Sequence, residues 1–265
     1  MRAGAASKKS TLWMSLLSKN KLGFIGFGKM GQAIWRGLQK PDVLVYEKES
    51  SPNDLVTLVT NANIIFFCVK PQNIADIFDQ FPKTDISQKC LISILAGTPI
   101  STFEKHLGKN IQMVRVMPNT PAILGAGMSV LSFKNVSENF QRLAIEIFSS
   151  LGKTEILSEE MLDVVTGISG SGPAFMYRIA DDIAKAGQSQ GLNYSQALKL
   201  IAQTMVGAGK MLMESKKTPQ ELIAEVSSPG GTTLAGLSFF DKSHIDHDIQ
   251  QVVLAAITRA RELGK

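Results

Sequence analysis

Short apolar runs of strand length alternate with helical patterns over the first part of the chain, up to about residue 158. The first five runs lack the polar alternation of a strand that has one face in solvent. Unalternating runs are typical of parallel strands buried on both faces, and the periodic segments between them suit crossover helices. The pattern predicts strands at residues 22–26, 43–46, 64–69, 91–95, 111–116, 125–133 and 154–157.

After Glu159 the strand signal disappears, and five segments have helical character. Pro173 and Pro219 each stand where the first turn of a helix tolerates proline. We therefore predict an α/β domain over residues 21–158 and an all-helical domain over residues 159–265. The predicted helices of the second domain are residues 161–166, 173–190, 195–216, 219–226 and 246–263.

One predicted helical segment, residues 198–213, is apolar on nearly every face and contains Gly207 and Gly209. A helix that is hydrophobic all round is buried on all sides. One small helical domain is scarcely large enough to bury this helix on all sides, so we expect a second subunit to cover the rest of its surface. We predict a homodimer or a higher homo-oligomer.

Composition narrows the class of partner. The 265 residues are 44% hydrophobic and 19% charged, which is ordinary for a soluble protein with a substantial core. The formal net charge is +5, but residues 1–20 carry four basic residues and no acid, so the remainder carries only +1. No basic stripe indicates nucleic acid. We expect a cytoplasmic protein that binds neither nucleic acid nor a membrane.

Residues 1–20 form a basic N-terminal extension without the long apolar core of a secretory signal or a membrane span. We expect this extension to be disordered. A transit peptide is one alternative, and an early start ahead of a true initiator at Met14 is another.

A G-x-G-x-x-G motif, Gly26 to Gly31, directly follows the first predicted strand and opens a helix. In this context Gly26 makes a tight turn, Gly28 admits a pyrophosphate, and Gly31 lets helix and strand pack closely. Glu47 follows 21 residues after Gly26, at the strand end where an acid hydrogen-bonds a ribose 2′-hydroxyl. The motif predicts a Rossmann dinucleotide-binding domain; the alternative is a glycine-rich turn without a ligand.

Three further segments follow predicted strands, at the edge where an open α/β sheet binds its ligands. They are the segments that contain Lys70, Gly97 and Asn119. Each segment also has an alternative explanation that involves no ligand. Lys70 can be a solvated strand end, Gly97 a turn, and the segment around Asn119 a rigid exposed turn.

Residues 227–233 read Ser-Ser-Pro-Gly-Gly-Thr-Thr between two helical segments. Gly230 and Gly231 let backbone N–H groups approach a ligand closely, and the next helix offers its positive N-terminal end. The run suits a small carboxylate. The alternative is a capping turn in which Thr232 or Thr233 is the N-cap.

The positions of the histidines and cysteines limit the types of reaction and of metal site that we expect. None of the three histidines lies in these motifs, whereas a dehydrogenase acting on an alcohol needs a general base such as His or Lys. An imine reductase does not need such a general base, because the imine nitrogen is basic enough to be protonated before the hydride arrives. Cys68 and Cys90 have no metal-type spacing, so we expect buried free thiols and no metal site.

Taken together, the motifs resemble those of the pyrroline-5-carboxylate reductase family. The resemblance runs from Leu22 to about Leu263 and rests on residues 26–31, 69–71, 117–121, 167–173 and 228–233. It implies an N-terminal Rossmann domain, a C-terminal helical dimerisation domain, and reduction of 1-pyrroline-5-carboxylate to L-proline with NADPH or NADH.

The resemblance also implies roles for single residues. Thr233 is the expected catalytic residue, because the matching threonine hydrogen-bonds the ring nitrogen of the substrate. The implied substrate-binding residues are Glu159, Ser228, Gly230, Gly231, Thr232 and Thr233. With Glu47 and Asn119 added from the strand-end analysis, the expected cofactor-binding residues are Ile25, Gly26, Phe27, Gly28, Lys29, Met30, Gly31, Glu47, Cys68, Val69, Lys70, Pro71, Leu95, Ala96, Gly97 and Asn119.

One departure from the family pattern concerns the adenine end. Only 22 residues separate Tyr46 from Val69, fewer than the family pattern, which carries a second helix and a third strand there. We expect the missing piece to be one that flanks the adenine ribose. Glu47 would repel a 2′-phosphate and Lys48 would do the opposite, so the choice between NADPH and NADH stays open.

Two other functions compete with the reductase. A β-hydroxyacid dehydrogenase shares the two-domain plan but needs a catalytic lysine in the helical domain, where Lys185 and Lys199 lack a supporting motif. A dinucleotide-binding sensor without turnover is favoured only by the shortened adenine edge.

Overall fold

The computed structural model describes residues 17–40, 42–48 and 54–264. Most of the N-terminal extension that was expected to be disordered, residues 1–16, lies outside the described residues. The expectation is wrong for residues 17–20, because residues 17–19 are helical and Leu17 is buried in the core. The described residues divide into two compact units: those up to residue 171 together with residues 256–264, and residues 172–255.

Seven strands form one sheet in the order β2-β1-β3-β4-β5-β6-β7. Neighbouring strands are parallel except for the antiparallel pair β5 and β6. The predicted α/β class and all seven predicted strands are confirmed. The strands are β1 (Leu22–Ile25), β2 (Leu44–Tyr46), β3 (Ile64–Phe67), β4 (Cys90–Ser93), β5 (Gln112–Pro118), β6 (Gly127–Lys134) and β7 (Gly152–Ile156).

Five helices connect the strands and complete two apolar clusters. They are α1 (Lys29–Leu38), α2 (Leu55–Asn61), α3 (Ile74–Gln80), α4 (Ile100–Leu107) and α5 (Glu138–Ser149). Successive side chains of a strand point to opposite faces. In β3, Ile64 and Phe66 therefore belong to the cluster that includes α1 and α5, and Ile65 and Phe67 to the cluster that includes α2, α3 and α4. This double burial explains why the strand shows no polar alternation.

The segment from Glu47 to Cys68 corrects the sequence interpretation. A strand at residues 64–69 was predicted, and the segment also contains α2, so the piece that was expected to be missing is neither a helix nor a strand. A seven-residue helix and a four-residue strand fit within the 22 residues because both connections are short. Asp54 caps α2 by accepting a hydrogen bond from Thr57 N–H. The described part of this edge therefore contains one helix and one strand, and residues 49–53 lie outside the described part of the chain.

Residues 159–171 pack with the first unit. Here α6 (Leu162–Val165) leads into a π-helix, Thr166–Gly170. Leu162 and Val165 are buried in a small cluster with Val130 of β6. The compact units thus divide at residue 171, whereas the sequence pattern changes near residue 158.

The second unit is helical. Its elements are α7 (Gly172–Ser189), α8 (Tyr194–Glu214), α9 (Pro219–Glu225), α10 (Thr232–Lys242) and the first part of α11 (Ile245–Leu263). Among the described residues, no helix is both long enough and apolar enough to span a membrane.

Helix α8 has little cover within its own unit. Ala197 is its only buried residue, and the large apolar side chains Leu200, Val206, Met211, Leu212 and Met213 are between 48% and 67% exposed. An apolar surface of this kind indicates an interaction site.

Candidate active site

The three motif glycines have three different surroundings. Gly26 has a φ of +85°, and a Cβ there would lie 2.8 Å from Val69. A Cβ on Gly31 would lie 3.2 Å from the Gly26 carbonyl oxygen. A Cβ on Gly28 would meet nothing within 4 Å. Gly26 and Gly31 are therefore required by the protein's own packing, whereas Gly28 keeps space open for a ligand.

A cleft of about 230 Å³ opens where β1, β2 and β3 end. Gly28 is the N-cap of α1, and no side chain caps this helix. The N–H groups at such a helix start, together with the helix dipole, favour an anion. The cleft is lined by Gly26, Phe27, Gly28, Tyr46, Glu47, Lys48, Cys68, Val69, Lys70, Asn73, Asp76, Ile77 and Gln80. The geometry fits the pyrophosphate and adenine ribose of a dinucleotide.

Glu47 is fixed across this cleft. The backbone N–H of Phe27 donates to its Oε1 at 3.1 Å. Lys48 forms an ion pair with Asp76 of α3 at 2.8 Å, and both side chains are more than half exposed. The carboxylate of Glu47 is thus oriented by the glycine-rich loop, and the charge of Lys48 is partly neutralised by its partner.

Cys68 lines the same cleft with an uncharged side chain. Its backbone N–H donates to the Ile25 carbonyl at 2.8 Å, which joins the ends of β1 and β3. Burial raises the pKa of its thiol well above the usual range, and burial also raises the pKa of Cys90 to about 12. Since the thiolate is the reactive form, neither cysteine offers a nucleophile near neutral pH.

Asn119 joins three segments at the end of β5. Its Nδ2 donates to the carbonyl and to the Oγ of Ser169, each at 3.2 Å. Its Oδ1 accepts a hydrogen bond from Met128 N–H at 2.9 Å. The amide therefore holds the π-helix against β6. Ser169 was not among the predicted site residues. The sequence feature that could have indicated it is the glycine-rich segment in which it lies.

Glu159 belongs to an ionic network around the buried Arg115. Its Oε1 accepts a hydrogen bond from Ile100 N–H at 2.6 Å and lies 3.4 Å from Arg115 Nη1. Arg115 Nη2 also donates to Asp163 at 3.0 Å, and its side chain is only 6% exposed, against 33% for that of Glu159. The sequence interpretation missed this pairing. The sequence feature that could have indicated this pairing is an arginine within an otherwise largely apolar strand.

The remaining cofactor-loop residues follow β3 and β4. Lys70 is exposed and precedes a short 3-10 turn, Pro71–Asn73. Leu95 N–H donates to Ser93 Oγ at 3.2 Å, and Gly97 has a φ of +67°. Both loops thus stand at carboxyl ends of parallel strands, as the sequence predicted.

The turn at residues 228–233 lies in the helical unit. Gly230 has a φ of +74°, and Gly231 N–H donates to the Ser228 carbonyl at 2.9 Å. The N-cap of α10 is Gly231, and no side chain caps the helix. Thr232 and Thr233 lie in the first turn of α10, so neither is the N-cap that the capping alternative requires. The turn instead offers a helix start and nearby hydroxyls to a ligand.

Two family models match the chain. Residues 159–263 match the model described as pyrroline-5-carboxylate reductase dimerisation. Residues 46–97 match the model described as NADP oxidoreductase coenzyme F420-dependent.

Similar proteins extend over nearly the whole chain. A pyrroline-5-carboxylate reductase of Methanosarcina acetivorans is 34% identical, over 94% of this chain and 100% of the relative. Pyrroline-5-carboxylate reductase 2 of Bacillus subtilis is 34% identical, over 92% of this chain and 95% of the relative. A crystal structure of Plasmodium falciparum pyrroline carboxylate reductase with NADP bound has a TM-score of 0.84 and 30% identity, over 93% of this chain and 98% of that chain.

Gly28→Val tests the anion site at the start of α1. We expect loss of NADPH and NADH binding, because the added side chain fills the space that a pyrophosphate would occupy. The fold should remain, since a Cβ at this position meets no neighbour within 4 Å and the φ of −68° suits valine. Fluorescence titration measures binding, and circular dichroism checks the fold. Unchanged affinity for both nucleotides would contradict the assignment. Gly26→Val is the contrasting control, and it should unfold or misfold the loop.

Proposed function

The chain belongs to the pyrroline-5-carboxylate reductase family, and we propose how its residues reduce 1-pyrroline-5-carboxylate to L-proline with NADPH or NADH. This reaction is the last step of proline biosynthesis. The family expectation drawn from the sequence motifs is confirmed by 34% identity over nearly the whole chain. The observation in the structure that carries the proposal is the open approach at Gly28, where the uncapped helix α1 begins.

The cofactor residues divide by the part of the nucleotide they would hold. The first turn of α1 receives the pyrophosphate, Glu47 receives the adenine ribose, and the loops after β3 and β4 receive the nicotinamide half. When bound, the reduced nicotinamide supplies a hydride. We propose that Asn119 acts at the nicotinamide end through Ser169, since both N–H groups of its amide already point to that residue.

The turn at residues 228–233 is the proposed substrate site. The substrate carboxylate is proposed to bind close to Gly230 and Gly231, at the N–H groups of the turn and of the start of α10 other than that of Gly231, which donates to the Ser228 carbonyl. The hydroxyls of Ser228 and Thr232 are nearby. The protonated ring nitrogen donates a hydrogen bond to the Oγ1 of Thr233. Glu159, in the first unit, is a further proposed substrate residue, and Ile100 N–H and Arg115 keep its carboxylate in place.

The chemistry needs orientation more than proton transfer. The imine carbon accepts the hydride, the C=N π pair moves onto nitrogen, and the nitrogen keeps the proton it already carries. A positioned hydrogen bond and a close approach of about 3–3.5 Å between reacting atoms suffice. A catalytic lysine is not required, and Lys185 is engaged by Asp181 at 2.6 Å. That carboxylate raises the pKa of Lys185, so this exposed lysine stays protonated near neutral pH.

We further propose that the helical unit forms a homodimer through α8. The match to a dimerisation model over residues 159–263 supports self-association. The exposed apolar residues of α8 give the surface that a second copy would bury. A cytoplasmic location and the absence of a nucleic-acid partner remain expectations from composition alone.

Thr233→Ala tests the substrate role. We expect NAD(P)H oxidation with 1-pyrroline-5-carboxylate to slow roughly 10- to 1000-fold, the range for loss of one positioned hydrogen bond. NAD(P)H affinity should be nearly unchanged. Ser238→Ala is the matched control, because that hydroxyl lies on the same helix and donates to the Ala235 carbonyl at 2.9 Å. The histidines at 106, 244 and 247 should each tolerate asparagine. A fully active Thr233→Ala with an inactive histidine variant would overturn these roles.

Glu47→Gln tests nucleotide choice. Glutamine retains an oxygen that can accept the Phe27 N–H but removes the charge, so its effect isolates electrostatic repulsion of a 2′-phosphate. We expect the ratio of kcat/KM for NADPH to that for NADH to rise about tenfold, which corresponds to about 1.4 kcal/mol. Glu47→Ser should shift the ratio in the same direction. An unchanged ratio in both variants would show that Glu47 does not face the ribose.

Val206→Glu tests the dimer surface. Val206 is 52% exposed on α8, and Val56 of the first unit is 54% exposed, so Val56→Glu is a matched control. We expect the native protein and Val56→Glu to sediment as dimers or larger oligomers at micromolar concentration. Val206→Glu should dissociate or become unstable, because a charge would be buried without a partner. A well-folded native monomer under the same conditions would contradict the proposal.

A further inference from the structure

The last turn of α11 packs directly on the loop that follows β4. A Cβ built on Gly97 would lie 2.6 Å from Leu263 Cβ and 3.0 Å from the Ala260 carbonyl oxygen. A Cβ built on Gly264 would lie 2.6 Å from the Gly97 carbonyl oxygen. Two glycines 167 positions apart in sequence thus allow a close approach of two backbones. Neither contact leaves room for a methyl group.

The C-terminal turn is well anchored where it makes this contact. Ile257 and Ala260 are 7% and 2% exposed, and residues 256–265 belong to the same compact unit as the sheet. The turn therefore offers a fixed surface to the Leu95–Gly97 loop.

The loop is held on both sides of this contact as well. Before it, Leu95 N–H donates to Ser93 Oγ at 3.2 Å. After it, Ile100 N–H donates to Glu159 Oε1 at 2.6 Å. Between these two anchors, the closest approaches recorded for Gly97 are to α11. With its φ of +67°, Gly97 has access to backbone conformations that other residues rarely adopt, and the packing of α11 against it restricts this freedom.

We propose that the C-terminal turn, residues 260–264, is a positioning element that holds the Leu95–Gly97 loop in its cofactor-binding conformation. The inference rests on the proposed function, in which this loop receives the nicotinamide half. The apparent dissociation constant of a ligand rises by the inverse of the fraction of protein in the binding-competent state. Loosening the turn therefore weakens NAD(P)H binding without removing any group that touches the cofactor.

Gly264→Ala in the full-length protein tests the inference. The added methyl would meet the Gly97 carbonyl oxygen, so the turn or the loop must shift. We expect the dissociation constant and KM for NAD(P)H to rise roughly tenfold, as for a loop that is competent about one tenth of the time. The value of kcat at saturating cofactor should stay within about twofold, because saturation restores the competent loop. Hydrogen exchange at residues 95–98 should accelerate.

Glu262→Ala is the matched control. Glu262 lies on the same turn, and its carboxylate pairs with Arg259 at 2.8 Å, on the exposed side of the helix. It should leave the NAD(P)H affinity unchanged. A second variant that ends at Glu262 removes Leu263, Gly264 and Lys265 and should reproduce the effect of Gly264→Ala. It also decides the question if the alanine variant fails to fold.

The outcomes separate this inference from the proposed function. Native affinity in folded Gly264→Ala or in the shortened chain would overturn the positioning role, and so would a fall in kcat with unchanged affinity. Failure of the native protein to bind NAD(P)H or to reduce 1-pyrroline-5-carboxylate would instead overturn the proposed function.

Discussion

Strand β1 lies between β2 and β3, and the cofactor end of the molecule depends on this parallel pairing. Ile25 pairs with both Tyr46 and Phe67. Because the three strands end at the same level, the residues that follow them converge on one cleft. Gly26 N–H then donates to the Tyr46 carbonyl, and Cys68 N–H donates to the Ile25 carbonyl, each at 2.8 Å. These two hydrogen bonds continue the sheet one step beyond its strands and fix the start of α1.

The loops of the first unit owe their shape to a few polar contacts between distant residues. Arg115 is nearly buried and pairs with two carboxylates, so its charge is compensated as a buried charge must be. One of these carboxylates, Glu159, also accepts the Ile100 N–H. The amide of Asn119 satisfies groups on β6 and on the π-helix. Such fully satisfied networks rigidify a site and specify one arrangement of it.

The chemistry of the family suits a site of this kind. Reduction of a protonated imine needs a hydride donor, an anchor for the carboxylate and a hydrogen bond at nitrogen. In the site proposed above, glycine-rich turns, helix starts and hydroxyl groups would provide the last two without a histidine or a reactive thiol. Burial keeps both cysteines protonated, so competing thiolate chemistry is suppressed. A rare π-helix at the glycine-rich segment 166–170 fits the tendency of such bulges to occur at functional sites.

The sequence by itself determined the elements and the type of ligand, because these follow from local rules. Apolar runs marked every strand, and the spacing of Gly26, Gly28 and Gly31 indicated the dinucleotide. Only the tertiary structure decided which distant groups meet: Phe27 with Glu47, Asn119 with Ser169, Arg115 with Glu159, and Gly97 with the C-terminal turn. It also showed that a helix, α2, fits between β2 and β3 in the short segment after Tyr46. Periodicity and motifs reflect interactions between residues that are close in sequence. The contacts listed here join residues that are far apart in sequence, so they depend on how the sheet and the helices pack together.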